Sequence, residues 1–171
     1  MHTAQQISAH RAQKDAFFKQ HPQSPLPPEA RASFEGLAYY DYNPALAFTV
    51  TVDKEDDLSP IAIDTTTGDG RIYHRYGTFS FDVDGDSAQL TIYKTPHGFF
   101  LPFVDANAGK ETYPAGRYLD LDPNDDGTFT VDFNLAYNPF CAYSDAYSCP
   151  LTPPENRLQV AIRAGEQISA T

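Results

Sequence analysis

The chain has 171 residues, a length typical of one domain and sufficient to bury about two-thirds of the surface that its unfolded form exposes. Twenty-three Asp and Glu residues against 12 Lys and Arg residues give a formal charge of −11, and the basic residues are scattered. Repulsion from phosphates and anionic headgroups therefore argues against binding to nucleic acid or to a membrane surface. Such acidity fits either high solubility or a salt-adapted host, and the sequence does not separate these two explanations.

Hydropathy argues against a membrane segment and a secretory leader. Residues 1–23 have no apolar stretch of signal-peptide length, and no later window approaches 18 apolar residues. We therefore expect a soluble, cytoplasmic protein. Two cysteines do not imply a scaffold built on disulfides.

Twelve Phe and 11 Tyr, with little Met, favour a mostly β fold, because rings suit the half-buried surface of a sheet. The pattern also predicts one amphipathic helix over residues 7–20, ended by the prolines that follow it. We expect a helix and tail at 1–23 and a single antiparallel β domain at 24–171, a barrel or sandwich of about nine strands. Outside two hairpins, the predicted strands are 37–42, 46–52, 61–64, 71–76, 99–103 and 158–164.

The first hairpin lies in residues 79–92, where apolar and polar side chains alternate on both sides of the sequence DGDS. For the two apolar sets to share one face, odd positions must pair with even positions. The pattern predicts Val83 opposite Ala88 and a type II′ turn with Gly85-Asp86 as its loop.

The second hairpin is predicted in residues 117–134, with Leu121 opposite Phe129 and a loop around PNDDG. This register places Arg117 on the apolar face, opposite Phe133. An unpaired buried charge is very costly, so we expect Arg117 to be buried and to form a salt bridge.

Five segments together resemble a known prokaryotic family, domain of unknown function 1684. They are SPLPPEARASFEGLAYYDYNP, YHRYG, LPFVDANAGKETYPAGRYLDL, DFNLAYNPFCAYSDAYSCPLTPPENRL and IRAGE, in this order over residues 24–166. The resemblance implies a single compact, mostly β domain. It supplies neither a reaction nor a catalytic residue.

A long loop over residues 134–156 follows the second hairpin and is rich in Pro, Asn and Tyr. Polar loops held by a rigid scaffold are where binding sites concentrate. Strand parity turns Arg75 inward with Arg117, so the two could form a fork for a small carboxylate or phosphate. Alternatively they pair with Glu111 and Asp105 and hold the long loops in place. The candidate ligand-binding residues are Arg75, Asp105, Glu111, Tyr113, Arg117, Asp132, Asn134, Tyr137, Asn138 and Tyr143.

Cys141 and Cys149 lie in the same loop, and their spacing does not match common zinc motifs. A disulfide between them would add about 2.5 kcal/mol, but two reduced thiols agree better with a cytoplasmic setting. Cys141 as a nucleophile would need a histidine, for which His74 is the better candidate.

The Asp-rich turns at 82–87 and 120–127 lack the residues that an EF-hand requires at its sixth and twelfth positions. We therefore expect no metal and no cofactor.

Three functions agree with these patterns. The first is a β domain that binds a small molecule, with an anion as one candidate, in a pocket under the 134–156 loop. The second is a hydrolase-type enzyme that uses the same pocket. The third is a protein-interaction module that presents exposed tyrosines.

Overall fold

The computed structural model describes residues 1–56 and 58–168; residues 169–171 of the predicted β domain lie outside this part. Helix α1 spans Ala4–Gln20 and begins with a capping box: the Thr3 hydroxyl accepts a hydrogen bond from the Gln6 backbone, and the Gln6 side chain accepts one from the Thr3 backbone. A short helix α2, Pro28–Ala32, begins with proline in its first turn, where no backbone donor is needed. The predicted N-terminal helix is therefore confirmed.

Eight strands follow in the described part of the chain, all paired antiparallel. A two-stranded ladder joins β1 to β8, and the other six form one sheet in which β4, β5, β6 and β7 are neighbours. The shorter strands β2 and β3 pair with successive parts of β4. The bounds are β1 Ala47–Val50, β2 Asp53–Lys54, β3 Pro60–Ile63, β4 Arg71–Val83, β5 Asp86–Thr95, β6 Gly98–Phe103, β7 Arg117–Leu121 and β8 Phe129–Asp132.

The core lies between the six-stranded sheet and the β1–β8 ladder. Aromatic rings join the two, with Phe81 centred 5.4 Å from Phe48 and 5.3 Å from Phe133. Large rings at these separations make favourable edge and offset contacts in addition to burying apolar area. The prediction that rings favour a mostly β fold is confirmed.

The opposite face of the sheet is covered by the chain around residues 150–156. Asn156 is fully buried there, and its side chain accepts from the Thr91 backbone at 2.9 Å and donates to the carbonyls of Thr91 and Pro102. Pro102 has no N–H to give to β5, so the amide of Asn156 supplies the missing pairing. One side chain thus joins the covering segment to the sheet.

The six-stranded sheet is open. The structure therefore confirms a mostly β, antiparallel fold with an N-terminal helix, and it does not confirm a barrel or a sandwich. Two predicted strands, 37–42 and 158–164, are wrong because these segments form no ladder. Tyr39 makes a single bridge to Glu166, while carbonyls of residues 162–166 bind a side chain instead of a neighbouring strand.

The first hairpin has the predicted parity, but its register differs by two residues. Val83 pairs with Asp86, and Phe81 pairs with Ala88. The loop is Asp84-Gly85, and both residues have positive φ, 51° and 87°. Positive φ at both loop positions defines a type I′ turn, for which Asp-Gly is a favoured sequence, so the predicted type II′ turn is wrong.

The prediction that residues 117–134 form a hairpin of two paired strands is wrong. Strand β7 pairs with β6, and β8 pairs with β1, so Leu121 does not pair with Phe129. A single bridge between Pro123 and Phe129 closes the Asp-rich turn. The consequence drawn for Arg117 nevertheless holds, because the alternation within β7 still turns it to the apolar face.

Candidate functional site

Arg117 is 1% exposed and lies opposite Phe103 in the β6–β7 ladder. Its guanidinium donates to the carbonyls of Ile162 at 2.8 Å and Glu166 at 3.1 Å, and also to that of Ala164. Asp105 is 3.7 Å away and completes an ion pair. The prediction that Arg117 is buried and salt-bridged is confirmed, and burial lowers the pKa of this guanidinium.

Gly165 allows the carbonyls around it to converge on Arg117. Its φ is +79°, and a Cβ atom there would lie 2.7 Å from the carbonyl oxygens of Phe133 and Ala136. Only glycine permits both this backbone conformation and so close an approach. The IRAGE motif thus has a structural explanation.

Arg75 does not join Arg117, so the predicted arginine fork is wrong. Strand β4 has an irregularity between Arg75 and Gly77, which reverses the parity on which the prediction depended. Arg75 pairs with Tyr93 on the face of the sheet opposite Arg117. Its Nε donates to Glu155 at 2.9 Å, in a partly exposed ion pair.

Asp105 and Glu111 hold loops in place. Asp105 accepts from the Thr112 hydroxyl at 2.7 Å and from the Ile162 backbone at 2.8 Å. Glu111 is exposed and accepts from the Tyr40 hydroxyl at 2.6 Å. Of the two, only Asp105 pairs with a predicted arginine.

Asp132 and Asn134 form a second network. Asp132 accepts from the backbone and side-chain amides of Asn134, at 3.0 and 2.9 Å, and its other oxygen lies 3.2 Å from His2. Asn134 in turn exchanges two hydrogen bonds with the backbone of Asn43. These contacts join β8 to the chain before β1.

A third cluster surrounds Glu166, which is 1% exposed. Its carboxylate lies 2.5 Å from the Lys14 ammonium and accepts from the Asn138 backbone and the Tyr143 hydroxyl. The amide of Asn138 donates to the same hydroxyl at 3.1 Å. Asn138 and Tyr143 are predicted residues, whereas Lys14 and Glu166 were not assigned to the site.

Two sequence signals accompany the missed pair. Lys14 lies on the helix face that carries Ile7 and Phe18, and Glu166 belongs to the IRAGE motif. Neither signal predicts that Lys14 contacts Glu166, because this contact depends on how α1 packs against the rest of the chain.

Cys141 and Cys149 form a disulfide, so the expectation of two reduced thiols is wrong. A bonded sulfur is not a thiolate, and His74 is exposed in β4 opposite Lys94. The Cys141–His74 hypothesis therefore has no geometric support. Disulfides are rare in the reducing cytosol, which weighs against the predicted cytoplasmic setting.

A groove of about 850 Å³ lies between residues 26–38 and residues 138–143. Tyr113, Asn138 and Tyr143 are the predicted residues that it brings together. The other polar residues in its lining are Ser33 and Glu35; the remainder is glycine or apolar, namely Leu26, Pro27, Ala30, Phe34, Gly36, Leu37, Ala38, Ala142 and Ile168.

The tyrosines of this region are proton donors. Burial, reinforced by Glu166, raises the pKa values of Tyr39 and Tyr143. Burial and a 2.6 Å hydrogen bond to Asp120 raise that of Tyr137. All three stay protonated at neutral pH, which suits hydrogen bonding and not proton abstraction.

Within residues 1–56 and 58–168, neither helix is long and apolar enough to cross a membrane. The same part of the chain contains no group of three or more His, Cys, Asp or Glu side chains arranged to hold a metal ion.

The fold and its loop networks define a small, mostly β antiparallel protein with an N-terminal helix. The chain belongs to the family described as protein of unknown function (DUF1684), whose model matches residues 32–167. A solution NMR structure of an uncharacterized protein from Haloarcula marismortui is similar, with 43% identity, a TM-score of 0.70, and coverage of 95% of this chain and 92% of that one. No match is found among curated proteins.

Proposed function

We propose that the protein binds a small, mainly apolar, uncharged molecule in the groove between residues 26–38 and 138–143. The observation that carries this proposal is the groove itself. Its volume of about 850 Å³ lies within the range of about 300–1,000 Å³ that small-molecule sites occupy. Mostly apolar walls with a few polar groups are typical of such sites.

The polar groups indicate where a ligand would be oriented. The amide oxygen of Asn138 is buried and has no hydrogen-bond partner among the described residues, while its nitrogen is held by Tyr143 and Gln167. An unpaired buried acceptor costs free energy that a ligand N–H or O–H would recover. A neutral molecule with an apolar body and one such donor fits this lining.

The hypothesis of an anionic ligand depended on Arg75 and Arg117 lying together, and they do not. None of the groove's lining residues within the described chain is Lys or Arg, and Glu35 adds a carboxylate. Arg117 is enclosed by carbonyl groups and Asp105. The formal charge of −11 also repels anions.

The enzyme alternative lacks an activated group. Cys141 is oxidised, and burial raises the pKa values of Tyr39 and Tyr143 above that of free tyrosine. The interaction-module alternative would use the same walls as a docking surface. It differs from the proposal in requiring no saturable binding of small molecules.

The test uses N-phenyl-1-naphthylamine, a neutral dye with one N–H donor that fluoresces in apolar surroundings. The wild type has no Trp, and the two variants below each add one, so any Trp background is the same in the pair that is compared. We expect saturable fluorescence with the wild type. Ala30→Trp, which fills the groove from α2, should weaken dye binding at least tenfold.

Ala32→Trp is the matched control, because Ala32 is exposed in the same helix and does not line the groove. It should leave dye binding unchanged. Equal effects of the two substitutions, or no saturable signal with the wild type, would reject the groove as a small-molecule site.

A further inference from the structure

We propose a second site, for a small organic cation with an alkylated ammonium group, in an aromatic hollow beside Pro150, on the face of the sheet that the chain around residues 150–156 partly covers. The aromatic hollow is formed by Tyr73, Phe100, Tyr118 and Tyr137, with Asp120 and Asp122 also in its lining. Its volume is about 460 Å³, enough for a molecule of the size of choline. It shares no lining residue with the groove.

The rings succeed one another along the hollow. Centroids lie 5.8 Å apart for Tyr73 and Phe100, 4.8 Å for Phe100 and Tyr118, and 5.8 Å for Tyr118 and Tyr137. Each pair is close to perpendicular, with interplanar angles of 80°, 73° and 89°. In each pair the edge of one ring covers part of the face of the other, and the rest of the ring surface lines the hollow. Ring faces turned in several directions are what aromatic cages use to hold quaternary ammonium groups.

Hydrogen bonds from their hydroxyl groups also hold two of the rings in place. Tyr118 donates its hydroxyl to the Pro150 carbonyl, and Tyr137 donates its hydroxyl to Asp120 at 2.6 Å. Tyr118 is 6% exposed and Phe100 is 9% exposed, so neither side chain is free to rotate away. A fixed cage loses little conformational freedom when a ligand binds.

The carboxylates give the hollow its charge preference. Asp120 is engaged with Tyr137, but the exposed side chain of Asp122 makes no hydrogen bond to another described residue. The lining within the described chain includes neither Lys nor Arg, and His97 is its one imidazole. A cation in the hollow would therefore contact aromatic rings and the carboxylate of Asp122, which makes no hydrogen bond to another described residue.

Three cations lie nearby, and each is committed to another partner. Arg71 donates to the Ser148 carbonyl at 2.9 Å. Burial raises the pKa of Tyr118, and the charge of Arg71 opposes that rise. Lys94 lies 5.7 Å from the ring centroid of Phe99, a lining residue whose ring also packs on Tyr76 and Phe129. Lys14 lies 4.9 Å from the Tyr137 ring centroid, with its charge balanced by Glu166.

The test compares choline with 3,3-dimethylbutan-1-ol, which has the same shape but no charge, at constant ionic strength. In a titration followed by the amide NMR signals, choline should shift residues of β6 and β7 saturably. The neutral analogue should bind at least about threefold more weakly, the ratio expected for an exposed cation–π contact. Tetramethylammonium should behave like choline.

Asp122→Asn and Tyr73→Leu should each weaken choline binding by about three- to fivefold. Asp125→Asn is the matched control, since Asp125 is exposed in the same turn and lies outside the hollow. An equal loss with Asp125→Asn would mean that choline responds only to the overall charge.

Equal binding of choline and its neutral analogue would overturn the proposal by reducing the hollow to an apolar patch. Binding to phosphatidylcholine vesicles without binding of free choline would overturn it in favour of a lipid surface. Because the hollow and the groove share no residue, the dye experiment and this one can fail separately.

Discussion

Arg117 keeps its charge in the interior because backbone carbonyls solvate it. The carbonyl groups of Ile162, Ala164 and Glu166 replace water around the guanidinium, and Asp105 supplies the countercharge. Arginine presents five donors in a rigid planar fork that spans these acceptors, whereas the ammonium of lysine is a compact group with three donors. This residue therefore holds the 162–166 segment against β7.

Arg117→Lys should lower the free energy of unfolding by about 2–4 kcal/mol, because hydrogen bonds from a buried charge are lost while the charge stays. Urea unfolding followed by circular dichroism measures this change. Arg163→Lys, at an exposed position in the same segment, is the control and should cost less than about 0.5 kcal/mol. Equal losses at both positions would contradict the role given to the carbonyl groups.

At the scale of the elements, apolar alternation predicts which side chains point inward better than it predicts strand partners. The alternation in β7 correctly predicted that Arg117 is buried, although β7 pairs with β6 and not with β8. Period-two patterns define the faces of one strand, whereas partner choice depends on contacts between distant segments. The sequence signal for the irregularity in β4 was Gly77, since an isolated glycine inside a strand pattern often marks a bulge, and the prediction did not use it. The irregularity moved Arg75 to the other face.

The candidate site was predictable to a similar extent. Tyr113, Asn138 and Tyr143 line one groove, as a loop-centred site requires, but residues 26–38, which include α2, supply the other wall. Packing of a helix against a loop is a tertiary event that local patterns do not encode. The ligand-binding role of the predicted residues stays a prediction.

The disulfide belongs to the loop that forms one wall of the groove. Closing a ring between Cys141 and Cys149, eight residues apart, should stabilise the fold by about 2.5 kcal/mol through chain entropy. A denatured, non-reduced sample should titrate no free thiol, and its mass should be two hydrogens below that of the reduced chain. Reduction should lower the unfolding free energy by the same 2.5 kcal/mol.

The double variant Cys141→Ser, Cys149→Ser should show the same loss and should not respond to a reductant. Two free thiols in the untreated protein would contradict the disulfide and would support the original expectation of a reduced loop.

For the whole molecule, buried tyrosines determine the response to alkali. Burial raises the pKa values of Tyr118, Tyr137 and Tyr143 above that of free tyrosine, so the folded state retains protons that the unfolded state releases. Their contribution to stability is complete below the unfolded pKa of about 10 and decreases as the pH rises above it.

We therefore expect stability to fall from about pH 10 upwards, by at most about 1.4 kcal/mol per pH unit for each of these tyrosines. Absorbance of tyrosinate at alkaline pH, recorded beside circular dichroism, tests this. The signal of the buried tyrosines should appear together with unfolding. Tyrosinate that forms fully in a folded protein would contradict the burial of these hydroxyl groups.

Helix α1 lies outside the region that the family model matches, but its side chains contact residues inside that region. The family model begins at residue 32, after the helix, yet Lys14 neutralises Glu166 and Phe18 packs on Tyr143 with ring centroids 5.0 Å apart. A fragment cut at the start of the matched region would keep the sheet, but it would leave a buried carboxylate without its cation and open one side of the groove. The segment that sequence comparison detects is thus shorter than the segment whose side chains depend on one another.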